Sequence, residues 1–322
     1  MHCVLITSAG RRTSLVKSFV DAVHARGGKV LAADMDGLAP SLYFVDRAFE
    51  VPPVKEPSYI DKLLQIVSHY KVTTLIPTID PELLILSENR ERFLKQGCTP
   101  IISQPNFIRI SDDKWLTVQE FAKFGFRVPT SWLPGNANID KLPDMLFVKP
   151  RRGSASQHAY RVLKDKLPHV LALVEDPIIQ ECIDAPEVTV DAMLDMAGRP
   201  IHYVMRKRIK TIGGESVEGV TLDPQPYHKY LMQLLTAIGK MGGIGPVTIQ
   251  LFLDKEGPIL SEINPRFGGG FPLAFAAGAR YPEWILDMLE GKKVDPRLGD
   301  YEVGLFMTRY YVEIIKDEPM WR

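Results

Sequence analysis

The sequence predicts a mixed fold: a parallel α/β unit from Val4 to about residue 110, then a part whose strands are joined by hairpins. Two observations carry this. Short β-branched or aliphatic runs alternate with amphipathic stretches as far as Thr99–Ser103, the outline of a parallel sheet with helical crossovers. Further on, Ala197-Gly198-Arg199-Pro200 and Asp254-Lys255-Glu256-Gly257 stand between strand-like runs, and turn-rich tetrapeptides of this kind close β-hairpins.

In the first part, Val4–Thr7 is a strand that enters Ser8-Ala9-Gly10-Arg11-Arg12, and an amphipathic helix follows from about Thr13 to Ala25. Gly27-Gly28 ends that helix, and Lys29–Ala33 is the next strand, running into Asp34-Met35-Asp36. This is the outline of a dinucleotide-binding unit. Only Gly10 stands where the fingerprint needs three spaced glycines, so the topology is expected without a dinucleotide, and a purely structural βαβ unit also fits. Tyr59–Tyr70 has helical spacing and Thr73–Pro77 reads as a buried strand. Asp80-Pro81-Glu82 opens a helix to about Leu94, because proline suits a first turn and acids complement the dipole. Thr99–Ser103 makes the fourth strand of a small parallel layer.

Ser111-Asp112-Asp113-Lys114 opens a helix, with Ser111 or Asp112 as cap and Lys114 near the amino terminus, where anions are favoured. Gly125–Pro129 is a loop. Met145–Lys149 is a strand whose terminal lysine faces Arg151-Arg152-Gly153-Ser154-Ala155-Ser156. Such a lysine, with backbone and hydroxyl donors around it, grips phosphate, and Arg151 and Arg152 add positive charge. Pro177–Ile183 is an apolar run that turns polar, able to offer backbone groups and apolar walls to a flat base. In Glu187–Leu194, Val188 and Val190 share one face and Thr189 and Asp191 the other. Arg206, Arg208 and Lys210 share one strand face and lead into Thr211-Ile212-Gly213-Gly214-Glu215-Ser216. They make an anion clamp for a carboxylate or phosphate, or else an ordinary solvated face. Tyr227–Met241, Phe271–Ala279 and Pro282–Leu289 read as helices, and Tyr301–Val312 as a closing strand.

The hairpin Val247–Leu253/Pro258–Ile263 concentrates the chemistry. Glu262 and Asn264 lie two residues apart, so both side chains leave the same strand face, and the turn can fold Gln250 back beside them. One carboxylate and two amides are oxygen ligands suited to a hard cation such as Mg²⁺; a hairpin with polar positions facing water is the alternative. Pro265 stops the strand and Arg266 follows within reach of an anion held there.

Gln250 followed by Glu262-Ile263-Asn264-Pro265-Arg266 resembles the metal-binding end of the ATP-grasp ligases, especially one synthetase half of carbamoyl-phosphate synthase large subunit. The resemblance covers nearly the whole chain. It implies an amino-terminal pre-ATP-grasp α/β domain over 1–110, then a two-lobed α+β ATP-grasp domain over 111–290 with a lid lobe at about 115–182, and a closing segment 291–322. It also implies ATP with Mg²⁺ or Mn²⁺ held by Gln250, Glu262 and Asn264. Lys114 and Lys149 would reach the phosphates, Glu181 and Ile183 the adenine, and Glu187 the ribose. Lys149 and Arg266 would act in catalysis, with Arg206, Arg208 and Lys210 on the second substrate. The phosphate loop departs from the family pattern, since Ser154, Ala155 and Ser156 replace glycines.

The implied reaction activates a carboxylate as an acyl phosphate for attack by an amine. An ATP-binding partner or regulatory subunit of a split carbamoyl-phosphate-synthase-like enzyme is the other class, and a dehydrogenase-like protein a third. At 322 residues, 45% hydrophobic and 24% charged, the chain has the composition of a soluble globular protein. Basic and acidic residues balance at 39 each, so no global field draws it to nucleic acid or to a membrane. Small-molecule substrates are expected, with a homodimer possible. No apolar run approaches the ~20 residues of a membrane span, no basic leader precedes the first strand, and the three scattered cysteines suit a reducing cytoplasm.

Overall fold

The computed structural model describes residues 1–153, 158–212 and 215–320. Its strands are β1 (Cys3–Thr7), β2 (Lys29–Asp34), β3 (Arg47–Glu50), β4 (Thr74–Pro77), β5 (Thr99–Pro100), β6 (Ser131–Trp132), β7 (Met145–Pro150) and β8 (Tyr160–Leu163). The chain continues with β9 (Pro177–Glu181), β10 (Glu187–Leu194), β11 (Pro200–Ile212), β12 (Glu215–Thr221), β13 (Gly245–Asp254), β14 (Gly257–Asn264) and β15 (Phe306–Thr308).

The amino-terminal strands form one parallel sheet in the order β3-β2-β1-β4-β5. Its centre is buried on both faces, as a parallel sheet with helical crossovers requires. Val4 and Ile6 face the core shared with helix Thr13–His24, and Leu5 faces the core shared with helix Tyr59–Tyr70. The sheet has five strands where the sequence suggested four. Arg47–Glu50 escaped notice because an edge strand carrying charges at both ends lacks an apolar run. The helix beginning at Asp80 ends at Glu88, and a second one covers Arg90–Leu94; between them the Asn89 side chain caps the first by donating to the Ile85 carbonyl at 2.8 Å.

A small antiparallel sheet, β6-β9-β7-β8, covers residues 131–181. The larger sheet runs β14-β13-β10-β11-β12-β15, antiparallel throughout. Val188, Val190, Met205, Ile249, Leu251 and Ile263 lie on one face and pack against helix His228–Lys240 through Leu231, Leu234, Leu235 and Ile238. Period-2 alternation puts Thr189, Asp191, Arg206 and Gln250 on the opposite face, together with Met193 and Val204, which join the core shared with helix Thr13–His24. The helix closes tightly on the turn before β11: a Cβ at Gly239 would stand 1.9 Å from the Gly198 carbonyl oxygen.

The carboxy-terminal expectations need correction. The helix after the triple glycine spans only Phe271–Ala276, and the closing strand is Phe306–Thr308 rather than Tyr301–Val312. Beyond it Tyr310, Tyr311, Val312 and Ile315 are exposed, so their β propensity finds no partner strand. No described helix is long and apolar enough to cross a membrane.

Candidate functional site

The polar face of the large sheet is built by register. Gln250 pairs with Glu262 and Thr248 with Asn264 across β13–β14, while Thr189 lies opposite Gln250 and Glu187 opposite Phe252 across β10–β13. A bulge after Gln250 accommodates Ser261 and leaves Glu262 and Asn264 on the same side as Gln250. Asn264 donates from Nδ2 to Glu262 Oε1 at 3.0 Å, which ties the two side chains together on this face. Two amide oxygens and a carboxylate on adjacent rungs are a donor set that fits a hard divalent cation.

Above this face, between the two antiparallel sheets, lies a cleft of about 1280 Å³. It gathers Lys114, Lys149, Glu181, Ile183, Glu187, Arg208, Gln250 and Glu262 from seven separate stretches of chain. A smaller chamber of about 20 Å³ opens beside it, where Asn264 joins Asp80, Asp112, Lys114 and Glu262. The sequence-predicted metal ligands and both lysines are thus brought together.

The cationic side of the cleft is organised by a carboxylate. Asp113, and not Ser111 or Asp112, caps helix Lys114–Lys123, accepting from the Trp115 N–H at 2.9 Å; the two expected caps belong to the preceding helix Pro105–Asp112. Asp113 is also gripped by Arg151 Nη2 at 2.5 Å and by Arg152 Nη2 at 3.2 Å. Arg151 and Arg152 therefore tie the small sheet to the helix, and Arg152 also borders the cleft. Lys114 is buried and donates from Nζ to the Gly153 carbonyl at 2.8 Å. Ser154, Ala155 and Ser156, expected to line the phosphate loop, lie outside the described residues.

Lys149 ends β7 half-buried, and burial pushes its ammonium down to about 8, against the favourable field of Glu262 and with the opposing field of Lys114. The Asp112 carboxyl is raised, first by burial and then, against Arg152 and Lys114, by Asp80 and Asp113. Glu181 and Ile183 border the cleft, and the Glu181 carboxylate accepts from the Thr130 N–H at 2.7 Å. Glu187 borders it too and takes Arg208 Nη1 at 2.8 Å.

The basic run does not act as one face. A bulge between Arg208 and Lys210 turns Lys210 out to solvent, where it stands 3.9 Å from Glu218. Arg208 lines the cleft. Arg206 lies deeper: it is 3% exposed, its Nε donates to Asp191 Oδ2 at 2.7 Å, and its guanidinium supports the glycine loop. A Cβ at Gly270 would stand 2.3 Å from the Arg206 guanidinium carbon, and one at Gly268 would stand 2.7 Å from Asp191 Oδ1. Gly213, Gly214 and the Glu215 side chain lie outside the described residues. Arg266 pairs with Asp80 of the amino-terminal unit at 2.7 Å and does not border the cleft directly. In the sequence Asp80 shows only as a helix-start residue. Its place just beyond a parallel strand, where such sheets bind ligands, is the signal that could have found it.

The PylC-like N-terminal domain model matches residues 4–101, and the model for ATP-grasp in the biosynthetic pathway with Ter operon matches residues 174–306. Among solved structures, the biotin carboxylase domain of Hydrogenobacter thermophilus 2-oxoglutarate carboxylase superposes with a TM-score of 0.78 at 14% identity, over 94% of this chain and 73% of that one. The chain has the ATP-grasp fold. The same ATP-grasp architecture appears in N5-carboxyaminoimidazole synthetase from Staphylococcus aureus (TM-score 0.74, 14% identity, 94% of this chain and 80% of that one). L-amino acid ligase from Bacillus licheniformis also shares it (TM-score 0.70, 17% identity, 89% and 73%). At these identities the likeness is one of fold. No curated protein matches the chain by sequence.

The geometry separates two arginines that the sequence grouped. We expect Arg206→Ala to lower stability by ~3–5 kcal/mol, because it leaves Asp191 charged and unpaired in the interior. Arg208→Ala, losing a partly screened pair, should cost under about 1 kcal/mol. Urea unfolding of both variants measures this, and equal losses would contradict the assignment of Arg206 to the framework.

Proposed function

We propose that the chain is an ATP-dependent ligase that activates a carboxylate as an acyl phosphate for attack by an amine, forming ADP. The observation that carries this is the convergence of Gln250, Glu262 and Asn264 with Lys114 and Lys149 at one end of the cleft. Biotin carboxylase with MgADP and bicarbonate, and an amino acid ligase, share the fold and lend the reading support. The finer likeness to a half of carbamoyl-phosphate synthase rests on the Gln250…Arg266 motif.

In this reading the nucleotide lies with its base along Glu181–Ile183 and its ribose near Glu187. Gln250, Glu262 and Asn264 hold Mg²⁺, which when bound offsets charge on the phosphate oxygens. Lys114 and Lys149 meet the phosphate chain from the opposite side, and the charge of Arg266, held just outside the cleft, helps offset that of the group in transfer. A carboxylate oxygen attacks the terminal phosphorus, the bond to ADP breaks, and the amine then displaces phosphate from the acyl carbon. Arg208 orients the acid. Little covalent chemistry falls to side chains; fixing the reactants and neutralising charge supply the acceleration.

Attack at the outer phosphate follows from where the positive charge gathers. Adenylation would bring the acid toward Glu187, where a second carboxylate is disfavoured. Hydroxylamine should therefore trap an acyl hydroxamate with one ADP per acid consumed, in a screen of carboxylates; AMP and pyrophosphate in their place would exclude the acyl phosphate.

Lys149 gives a pH signature. Its charged form binds phosphate, and that form is depleted in the free protein as pH rises through about 8. Affinity for MgADP should then weaken by up to about tenfold per unit above that point, since binding must take up the missing proton. Lys149→Arg keeps its charge and should flatten the slope. A level wild-type profile from neutral to strongly basic pH, measured by calorimetry, would remove Lys149 from the phosphates.

A further inference from the structure

We infer that Asp80 is a positioning residue: it holds the Arg266 guanidinium at the metal end of the cleft, although it belongs to the amino-terminal unit. The inference rests on the proposed role of Arg266 and adds a residue that the motif does not contain.

Arg266 Nη2 donates to Asp80 Oδ2 at 2.7 Å across 186 residues of sequence. Both side chains are mostly buried, at 11% and 16% exposed. Asp80 borders the large cleft and also the small chamber that it shares with Lys114, Glu262 and Asn264. An acid in the first turn of helix Asp80–Glu88 has a simpler reason to exist, since it complements the helix dipole. That reason is satisfied by a carboxylate facing water. It does not require one turned inward onto an arginine of another sheet.

The contact is also half-made. Arg266 Nε and Asp80 Oδ1 are both buried, and neither has a hydrogen-bond partner. A guanidinium and a carboxylate ordinarily close a two-point fork, and each buried polar atom left unmatched is destabilising. A pair built only for stability would close that fork. Here the anchoring continues elsewhere instead: Arg266 Nη1 donates to the Phe267 carbonyl at 3.2 Å, and Thr248 Oγ1 donates to the Arg266 carbonyl at 3.0 Å. The side chain is thus gripped at its two terminal nitrogens, and its positive charge is fixed beside the small chamber that Asp80 and Pro265 line. Arginine's long side chain has many rotamers, and Asp80 removes much of that freedom before the reaction. The amino-terminal unit then has a chemical task at the site, since its seating sets where Arg266 points.

The test compares calorimetric affinities for MgADP and for MgADP with fluoroaluminate, which imitates a phosphoryl group in flight. Asp80→Ala should leave MgADP affinity within about threefold and weaken the fluoroaluminate complex by about tenfold or more, as loss of a preorganised charge beside the transferring group does. Asp80→Asn, which keeps the shape and an acceptor oxygen, should fall between. In an Arg266→Ala background, Asp80→Ala should cause no further loss. Equal weakening of both ligands, or the same loss with Arg266 absent, overturns the inference and makes the contact a simple domain tie. If Asp80→Ala fails to melt cooperatively, Asp80→Asn and Asp80→Glu carry the same comparison. A wild type that binds no MgADP would instead sink the proposed function, and Asp80 would lose its role with it.

Discussion

The site depends on one constraint, the antiparallel register that sets β10, β13 and β14 side by side. With a side-chain period of 2, the register that sends Val190, Ile249 and Ile263 into the core must send Thr189, Gln250 and Glu262 to the other face. A one-residue slip would bury the carboxylate and expose the apolar set. Burial of the core thus enforces the convergence of the polar groups, and the ligand cluster needs no separate stabilisation. The bulge at Ser261 is the single local departure, and it keeps Glu262 on the working face.

Around that sheet the cationic groups are placed by anionic ones that are themselves tied down. Asp113 caps a helix and receives both arginines of the small sheet, Asp191 receives Arg206 beneath the glycine loop, and Asp80 receives Arg266. These pairs connect three units of the fold to one cleft. The lysines are treated differently: Lys114 reaches a backbone carbonyl, and Lys149 keeps its amino group in a half-buried place that lowers its basicity. A framework of arginine–carboxylate pairs beside two less encumbered lysines is a reasonable division, because arginine forms planar forks and lysine supplies a movable point charge.

Much of this was legible in the sequence, for identifiable reasons. Strand β14 was readable because Glu262 and Asn264 repeat at period 2 and a turn-rich tetrapeptide fixes their partner strand. The parallel amino-terminal layer was readable from alternation of apolar runs and helices. What escaped depended on contacts between distant segments. Arg206 and Lys210 differ from Arg208 because of a bulge and a buried aspartate, neither visible in a run of four cations. Asp113 outcompeted its neighbours as cap because the previous helix extends through Asp112. Asp80 carries two signals at once, and the local one, a helix start, hid the distant one.

The central claim is that nucleotide and metal meet over the β13–β14 hairpin, and not at the strand ends of the amino-terminal sheet, where Gly10 marks a dinucleotide-like turn. A crystal structure of the protein with MgADP tests it most directly. The account places the metal against Glu262 and Asn264, with the diphosphate between that pair and Lys149. Nucleotide density at Ser8–Arg12, with the hairpin carboxylate facing only water, would contradict it.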